Sequence, residues 1–356
     1  MKKSIFDTPN WPGFSLTVPL IQGGMGVGVS LSSLAGAVAK EGAMGVISTA
    51  QIGYDKPDFV ENENECNLKA IVTHIKKAKE ISQGNGMVSV NIMVALQHYK
   101  EHVRAAVEAG ADAIISGAGL PMDLPELVAG SRTKIAPIVS SRKAAALIMK
   151  SWLKKYKKLP DFIVIEGPKA GGHLGFHPED IESMTAGKFE EEIKGIIEER
   201  NSYEAACGVR IPIFLAGGIW DNKDVLYAKS LGADGVQAAT RFVTTIECDA
   251  STAYKMAYIN ARAEDIKIIK SPVGMPGRAL NNKMIQDLQN GNRKITRCYH
   301  CIKSCKPTEI PYCITEALVN AVKGDIDNGL IFCGSNVDKA TKIETVKEVI
   351  DDMMYT

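Results

Sequence analysis

Short apolar runs alternate with longer windows that carry one polar face, from Pro19 to Ala238. The runs fall at 19–22, 45–48, 88–93, 113–116, 135–139, 162–166, 211–216 and 235–238. Most are continuously aliphatic or β-branched, as a strand buried on both faces reads in a parallel sheet. Between them, helical windows lie at 32–41, 68–82, 99–109, 142–157, 189–205 and 222–231. Ser32 stands where a helix cap is wanted, Gly42 follows the first window, and lysines crowd the end of the fourth. Three phrases repeat one helix-to-strand turn: Glu41-Gly42-Ala43-Met44-Gly45, Glu108-Ala109-Gly110-Ala111-Asp112 and Leu231-Gly232-Ala233-Asp234-Gly235. Eight strands alternating with helices predict a (β/α)8 TIM barrel, with a doubly wound sheet as the alternative.

Beyond Phe242 the beat is lost. A helical stretch is followed by Ser271-Pro272-Val273-Gly274-Met275-Pro276-Gly277-Arg278, whose prolines and glycines predict a rigid loop. Helices are expected again at 315–323 and 342–354. The expected organisation is a barrel over 1–290 with an inserted loop and helical segment near 244–282. A cysteine-containing C-terminal extension, 291–356, is expected to pack on it.

Bulk properties narrow the class. The chain has 356 residues, 45% hydrophobic and 23% charged, so it can bury a large core without disulfides. Its 42 basic and 41 acidic residues give a net charge of +1, which offers no electrostatic reason to expect nucleic acid. No apolar run is long enough for a membrane span, and Met1-Lys2-Lys3 is not followed by an apolar stretch. A cytoplasmic location is the expectation, with cysteines mostly reduced.

Two glycine-rich segments, Gln22-Gly23-Gly24-Met25-Gly26 and Gly217-Gly218-Ile219, and a third that opens on small residues, Gln237-Ala238-Ala239-Thr240-Arg241-Phe242, fall at predicted strand ends. In a barrel all three would open on one rim, where the last two would form a phosphate site. The first lacks the third glycine and acidic partner of a dinucleotide fingerprint. A fourth segment, Glu166-Gly167-Pro168-Lys169-Ala170-Gly171-Gly172-His173, sets a histidine between glycines on a loop with little apolar shelter. Such an imidazole titrates near neutral pH and suits proton transfer, or a plain hydrogen bond to the loop.

Together these segments, with Val90-Asn91 on the third strand, resemble the nitronate monooxygenase (2-nitropropane dioxygenase) family. The flavin enoyl-ACP reductases share the pattern, which covers about residues 10–290. The resemblance implies an FMN-binding barrel and an FMN-dependent oxidoreductase. His173 would be the catalytic residue. Gly23, Gly24, Met25, Asn91, Glu166, Gly171 and Gly172 would lie at the cofactor, and Gly217, Gly218, Gln237, Ala238, Ala239 and Thr240 would hold its phosphate. A nitronate would give a carbonyl compound plus nitrite with dioxygen as acceptor. The alternative is an enoyl-ACP or quinone reductase using NAD(P)H. The partners implied are a small-molecule substrate, nitronate or enoyl thioester, with a homodimer as an open expectation. Glu166 stands where many relatives have glutamine, and Ala239 where many have glycine.

Cys298, Cys301, Cys305 and Cys313 form a C-x2-C-x3-C-x7-C cluster. Four soft thiolates on one short segment suit zinc or an iron–sulfur cluster, although the spacing matches neither the common zinc pattern nor a standard ferredoxin run. Reduced packing cysteines and a redox disulfide are the other readings.

Overall fold

The computed structural model describes residues 3–291 and 293–356. Strands β1 (Leu20–Gln22), β2 (Met44–Ser48), β3 (Met87–Met93), β4 (Ala113–Gly117), β5 (Lys134–Val139) and β6 (Ile163–Glu166) pair in parallel and in sequence order. The two-residue β7 (Gly172–His173) lies outside this sheet. β8 (Ile213–Ala216) and β9 (Gly235–Ala238) complete the barrel, and β9 pairs with β1 to close it. Each of the eight predicted strands is one of the barrel strands. The closed cylinder excludes the doubly wound alternative.

Connecting helices form the outer ring: α1 (Ser32–Lys40), α2 (Glu63–Ser82), α3 (Tyr99–Glu108), the single turn α4 (Leu124–Leu127), α5 (Arg142–Tyr156), α6 (Pro178–Ser183), α7 (Ala186–Cys207) and α8 (Asn222–Ser230). After β9 come α9 (Thr240–Val243) and α10 (Thr252–Ile259), then β10 (Ile266–Lys270) and β11 (Pro276–Leu280). These two strands form an antiparallel hairpin that adds β7 at its edge, pairing Gly277 with His173. The proline- and glycine-rich stretch is thus the turn and second strand of a small sheet, not an irregular loop. Helices α11 (Lys283–Asp287), α12 (Ile314–Lys323) and α13 (Val346–Met354) finish the chain.

Side chains one residue apart on a strand point to opposite faces. Ile163, Ile165, Ile213 and Leu215 therefore pack outward against the helices, while Phe162, Val164, Phe214 and Ala216 fill the cylinder. Met44, Val46, Met87, Ile115 and Ala136 join that inner core. Trp11 and Phe14 plug its lower end, in edge-to-face contact with Phe214 and Phe162 at 5.7 Å each. Each large ring buried there is worth roughly 2–3 kcal/mol.

One local expectation is corrected. Ser32 does not cap α1; it sits inside the helix, and the preceding Leu31 offers no side-chain cap. The carboxylate of Asp249 serves instead, accepting from the backbone N–H groups of Leu31, Ser33 and Leu34 at 2.9, 3.2 and 3.1 Å. An anion at a helix N-terminus is favoured by the dipole. This one ties the segment after β9 to the first strand–helix unit.

Gly45 illustrates how tightly helices and strands are packed. A Cβ there would stand 1.9 Å from the carbonyl oxygen of Ala35 on α1. Gly45→Ala is expected to lower stability by about 3 kcal/mol or more, read as a shift in denaturant midpoint. Gly187→Ala on α7, where a Cβ meets open space, is expected to be neutral or up to ~1 kcal/mol stabilising.

Candidate active site

The alternation that fills the barrel also builds its mouth. Along β3, Met87 lies in the inner core, and the same face continues through Ser89 to Asn91 and Met93 at the rim. On β6 the sequence is Phe162, Val164, Glu166. On β2 it is Met44, Val46, Ser48, and on β8 it ends at Ala216 beneath Gly217. On β2 and β6 the polar residue at the C-terminal end thus faces the axis because the two below it are apolar and buried, and on β3 the same register carries Asn91 above the buried Ser89.

Above the inner core lies a cavity of about 370 Å³. Its wall includes every residue expected at the flavin: Gly23, Gly24, Met25, Asn91, Glu166, Gly171, Gly172, Gly217, Gly218, Gln237, Ala238, Ala239 and Thr240, with His173 among them. Four segments distant in sequence, three of them glycine-rich, therefore meet at one rim. Gly24 is required by closeness, since a Cβ would meet that of Asn91 at 2.5 Å. Gly217 and Gly218 take φ of +95° and +82°, a turn that side chains resist, and their missing side chains leave backbone at the cavity surface. Ala239 has φ of −126°, so alanine is accommodated there without backbone strain.

Several wall residues escaped the sequence reading. Lys169 packs its stem on Gly218, where a Cβ would meet its Cδ at 2.9 Å. Phe332, Cys333, Gly334, Ser335 and Asn336 of the C-terminal extension also line the cavity. Their loop is sewn to the rim: Gly334 N–H donates to Thr240 Oγ1 at 2.9 Å, Asn336 Nδ2 to the Gly218 carbonyl at 2.8 Å, and Ser335 N–H to the Lys169 carbonyl at 3.1 Å. Gly171 answers to this loop as well, because a Cβ would meet the Cys333 carbonyl carbon at 2.5 Å. Only a polar loop containing a glycine marked this region in the sequence, and nothing there placed it at the mouth. Arg241 turns away from the cavity wall and pairs with Asp352 and Glu344 at 2.6 and 3.5 Å.

His173 is corrected in its setting. It is an edge-strand residue under cover, not a residue of a bare loop. Its Nε2 shares a 2.7 Å hydrogen bond with Ser271 Oγ, and Phe332 packs edge-to-face at 4.9 Å. Burial pushes its pKa down to about 4, so the imidazole is neutral at physiological pH. Burial moves Glu166 the other way, up to about 7, with no countercharge opposing it. At neutral pH this carboxyl is close to half protonated, and its protonated form imitates the glutamine amide.

The four clustered cysteines do not assemble a mononuclear metal site. Among the described residues, no three His, Cys, Asp or Glu side chains converge as ligands of one ion. Cys298 is exposed, whereas Cys301 and Cys305 pack against the apolar cluster around Ile302 and Tyr312. A single zinc, with Zn–S near 2.3 Å, would need its sulfurs about 3.8 Å apart. Cys333, expected as a packing residue, is buried in the cavity wall. Among the described helices, none is long and apolar enough to cross a membrane.

The family profile described as "NMO: Nitronate monooxygenase" matches residues 9–355. A probable nitronate monooxygenase of Bacillus subtilis is 26% identical over 306 residues, covering 77% of this chain and 79% of that protein. FabK from Thermotoga maritima superposes with a TM-score of 0.72 at 24% identity, over 96% of this chain and 93% of that one. A nitroalkane oxidase from Streptomyces ansochromogenes superposes with a TM-score of 0.70 at 17% identity, over 94% and 95% of the two chains.

Glu166 gives a pH prediction. Between its ordinary value near 4.5 and about 7, the folded protein holds a proton that the unfolded chain has lost. Its contribution to stability is therefore present below that window and lost as pH rises through it. Glu166→Gln is expected to flatten the fall in Tm between pH 5 and pH 8, corresponding to roughly 1–3 kcal/mol. Parallel Tm–pH curves for the two proteins would show that Glu166 is ionised throughout.

Proposed function

Because the chain belongs to the nitronate monooxygenase family, whose members are flavin-dependent oxidoreductases, we propose that it binds FMN at the barrel mouth and converts alkyl nitronates, with dioxygen, to a carbonyl compound and nitrite. One observation carries the reading: a single cavity bears the backbone cradle after β8 and β9 and a neutral, hydrogen-bonded imidazole in the same wall. The loops after these last two barrel strands are the usual phosphate site of the fold. Gly217, Gly218, Ala238, Ala239 and Thr240 would hold the phosphate, with Lys169 adding positive charge. Gly23, Gly24, Met25 and Asn91 would seat the ring. Gln237, Gly171 and Gly172 complete the wall.

Bound FMN supplies the electron chemistry, between nitronate and dioxygen. The protein's residues position and desolvate the substrate. His173, neutral and fixed by Ser271, presents one ring nitrogen that can hold a nitronate oxygen or take the proton alpha to a nitro group. Glu166 in its protonated form donates a hydrogen bond without repelling an anion. Its ionised form opposes a nitronate, so KM is expected to rise with pH around 7.

A second reading has its own observation. A chamber of about 840 Å³ adjoins the mouth through Ser140, Ser141, Gly175 and Met275, and carries Leu174, Phe176 and Ile269 on its walls. A small nitronate does not need this space. The long arm of an enoyl thioester, reduced at the expense of NAD(P)H, would use it.

Anaerobic mixing separates the two readings. Bleaching of the flavin by a nitronate and not by NADH or NADPH is the expected result, whereas rapid bleaching by a pyridine nucleotide would favour the reductase. His173→Ala is expected to retain the FMN spectrum and lower kcat about a hundredfold. An unchanged kcat would remove the imidazole from the mechanism.

A further inference from the structure

We infer that Ser271 is a positioning residue that fixes His173 in the tautomer with its proton on Nδ1, so that the imidazole meets the substrate as a hydrogen-bond donor and not as a base. The inference rests on the reading of the barrel mouth given above, and it decides between the two tasks open to His173 there.

Ser271 heads the turn between β10 and β11. Its backbone closes that turn: Ser271 N–H donates to the Met275 carbonyl at 3.2 Å, and Gly274 N–H donates to the Ser271 carbonyl at 3.0 Å. Gly274 takes a φ of +86°, which favours glycine in the turn. Because β11 pairs with β7, the turn comes to lie beside His173, 98 residues earlier in the chain. Ser271 is buried, with 2% of its surface exposed.

Among the described residues, two groups bond the Ser271 hydroxyl. Val273 N–H donates to Oγ at 3.3 Å, and His173 Nε2 lies 2.7 Å from it. A hydroxyl offers one proton and two lone pairs. Val273 can only donate, so it occupies one lone pair. A protonated Nε2 would occupy the other. The serine's own proton would then have no acceptor among the described residues, and a buried donor left unpaired costs more than a hydrogen bond typically returns. With Nε2 unprotonated, the hydroxyl donates to it and every proton in the group has a partner.

Burial keeps the ring neutral at physiological pH. A neutral imidazole whose Nε2 accepts must carry its proton on Nδ1. His173 lines the cavity and Ser271 does not, so the nitrogen bonded to Ser271 is the one withdrawn from the substrate. Nδ1–H is left for the ligand. It can donate to a nitronate oxygen. It cannot receive the proton alpha to a nitro group, and the Nε2 lone pair is already engaged. The imidazole is thus set to bind a substrate that arrives with an anionic oxygen.

The test reads the position of a proton, not turnover, so it stands apart from the identity of the substrate. The FMN-loaded full chain is prepared with isotope-labelled histidine, and the nitrogen shifts of its six histidines are recorded by NMR at neutral pH. The His173 signals are those missing from His173→Gln. The expected result is a pyridine-like, unprotonated Nε2 and a pyrrole-like, protonated Nδ1. A protonated Nε2 in the wild-type protein would overturn the assignment. Ser271→Ala is expected to lose the preference and exchange between both tautomers, whereas Ser271→Thr, which keeps a hydroxyl, should retain it. Unchanged Nδ1 protonation in folded, FMN-bound Ser271→Ala would show that the serine does not set the tautomer. With only part of the molecules in the donor form, Ser271→Ala should raise KM for a nitronate by about two- to tenfold at unchanged FMN content. Wild-type protein inactive toward nitronates would remove the substrate reading and leave the tautomer result standing.

Discussion

Closure of eight parallel strands into one cylinder is the constraint from which the rest of the structure follows. Closure leaves no free sheet edge and gives every strand an inward and an outward face. The outward faces must be apolar to receive the helices. The inward faces must fill the cylinder at one end, which Trp11, Phe14, Phe162 and Phe214 do with aromatic rings. At the other end the inner core stops, and the next inward positions can be polar. Asn91 and Glu166 owe their place at the mouth to that register.

The mouth is finished by chain far downstream. The small sheet of β7, β10 and β11 covers His173, and the loop around Gly334 closes over the cradle after β8 and β9. Arg241 anchors this arrangement from behind. Its buried guanidinium donates to the Trp220 carbonyl and pairs with Asp352 of α13. Removing one partner would leave an uncompensated buried charge. The last sixty or so residues thus contribute directly to the wall of the site, through contacts between Thr240, Gly218 and the 334–336 loop.

The same enclosure sets the protonation states. Partial burial at the mouth penalises the charged form of a side chain whatever its sign. His173 is held neutral by a shift downward, and Glu166 is drawn toward neutrality by a shift upward. The two groups therefore face the substrate space as hydrogen-bonding groups more than as charges.

The sequence by itself determined the eight parallel strands and the segments at their ends that meet at the mouth, whereas closure of the sheet into a barrel was decided by the fold. Eight continuous apolar runs could be buried only as parallel strands, and glycines at strand ends mark places where backbone must come close or turn left-handed. Those are local demands, and they can be read locally. What the tertiary structure decided was everything fixed by contact between distant segments. Ser32 has a capping side chain, yet Asp249 reaches the first helix from more than two hundred residues away. His173 follows two glycines and reads as an exposed loop residue, but pairing with Gly277 and cover from Phe332 leave it half-buried. Lys169, Ser271 and Asn336 carry no signal in their own neighbourhoods, because burial and proximity are properties of the packed chain and not of any window along it.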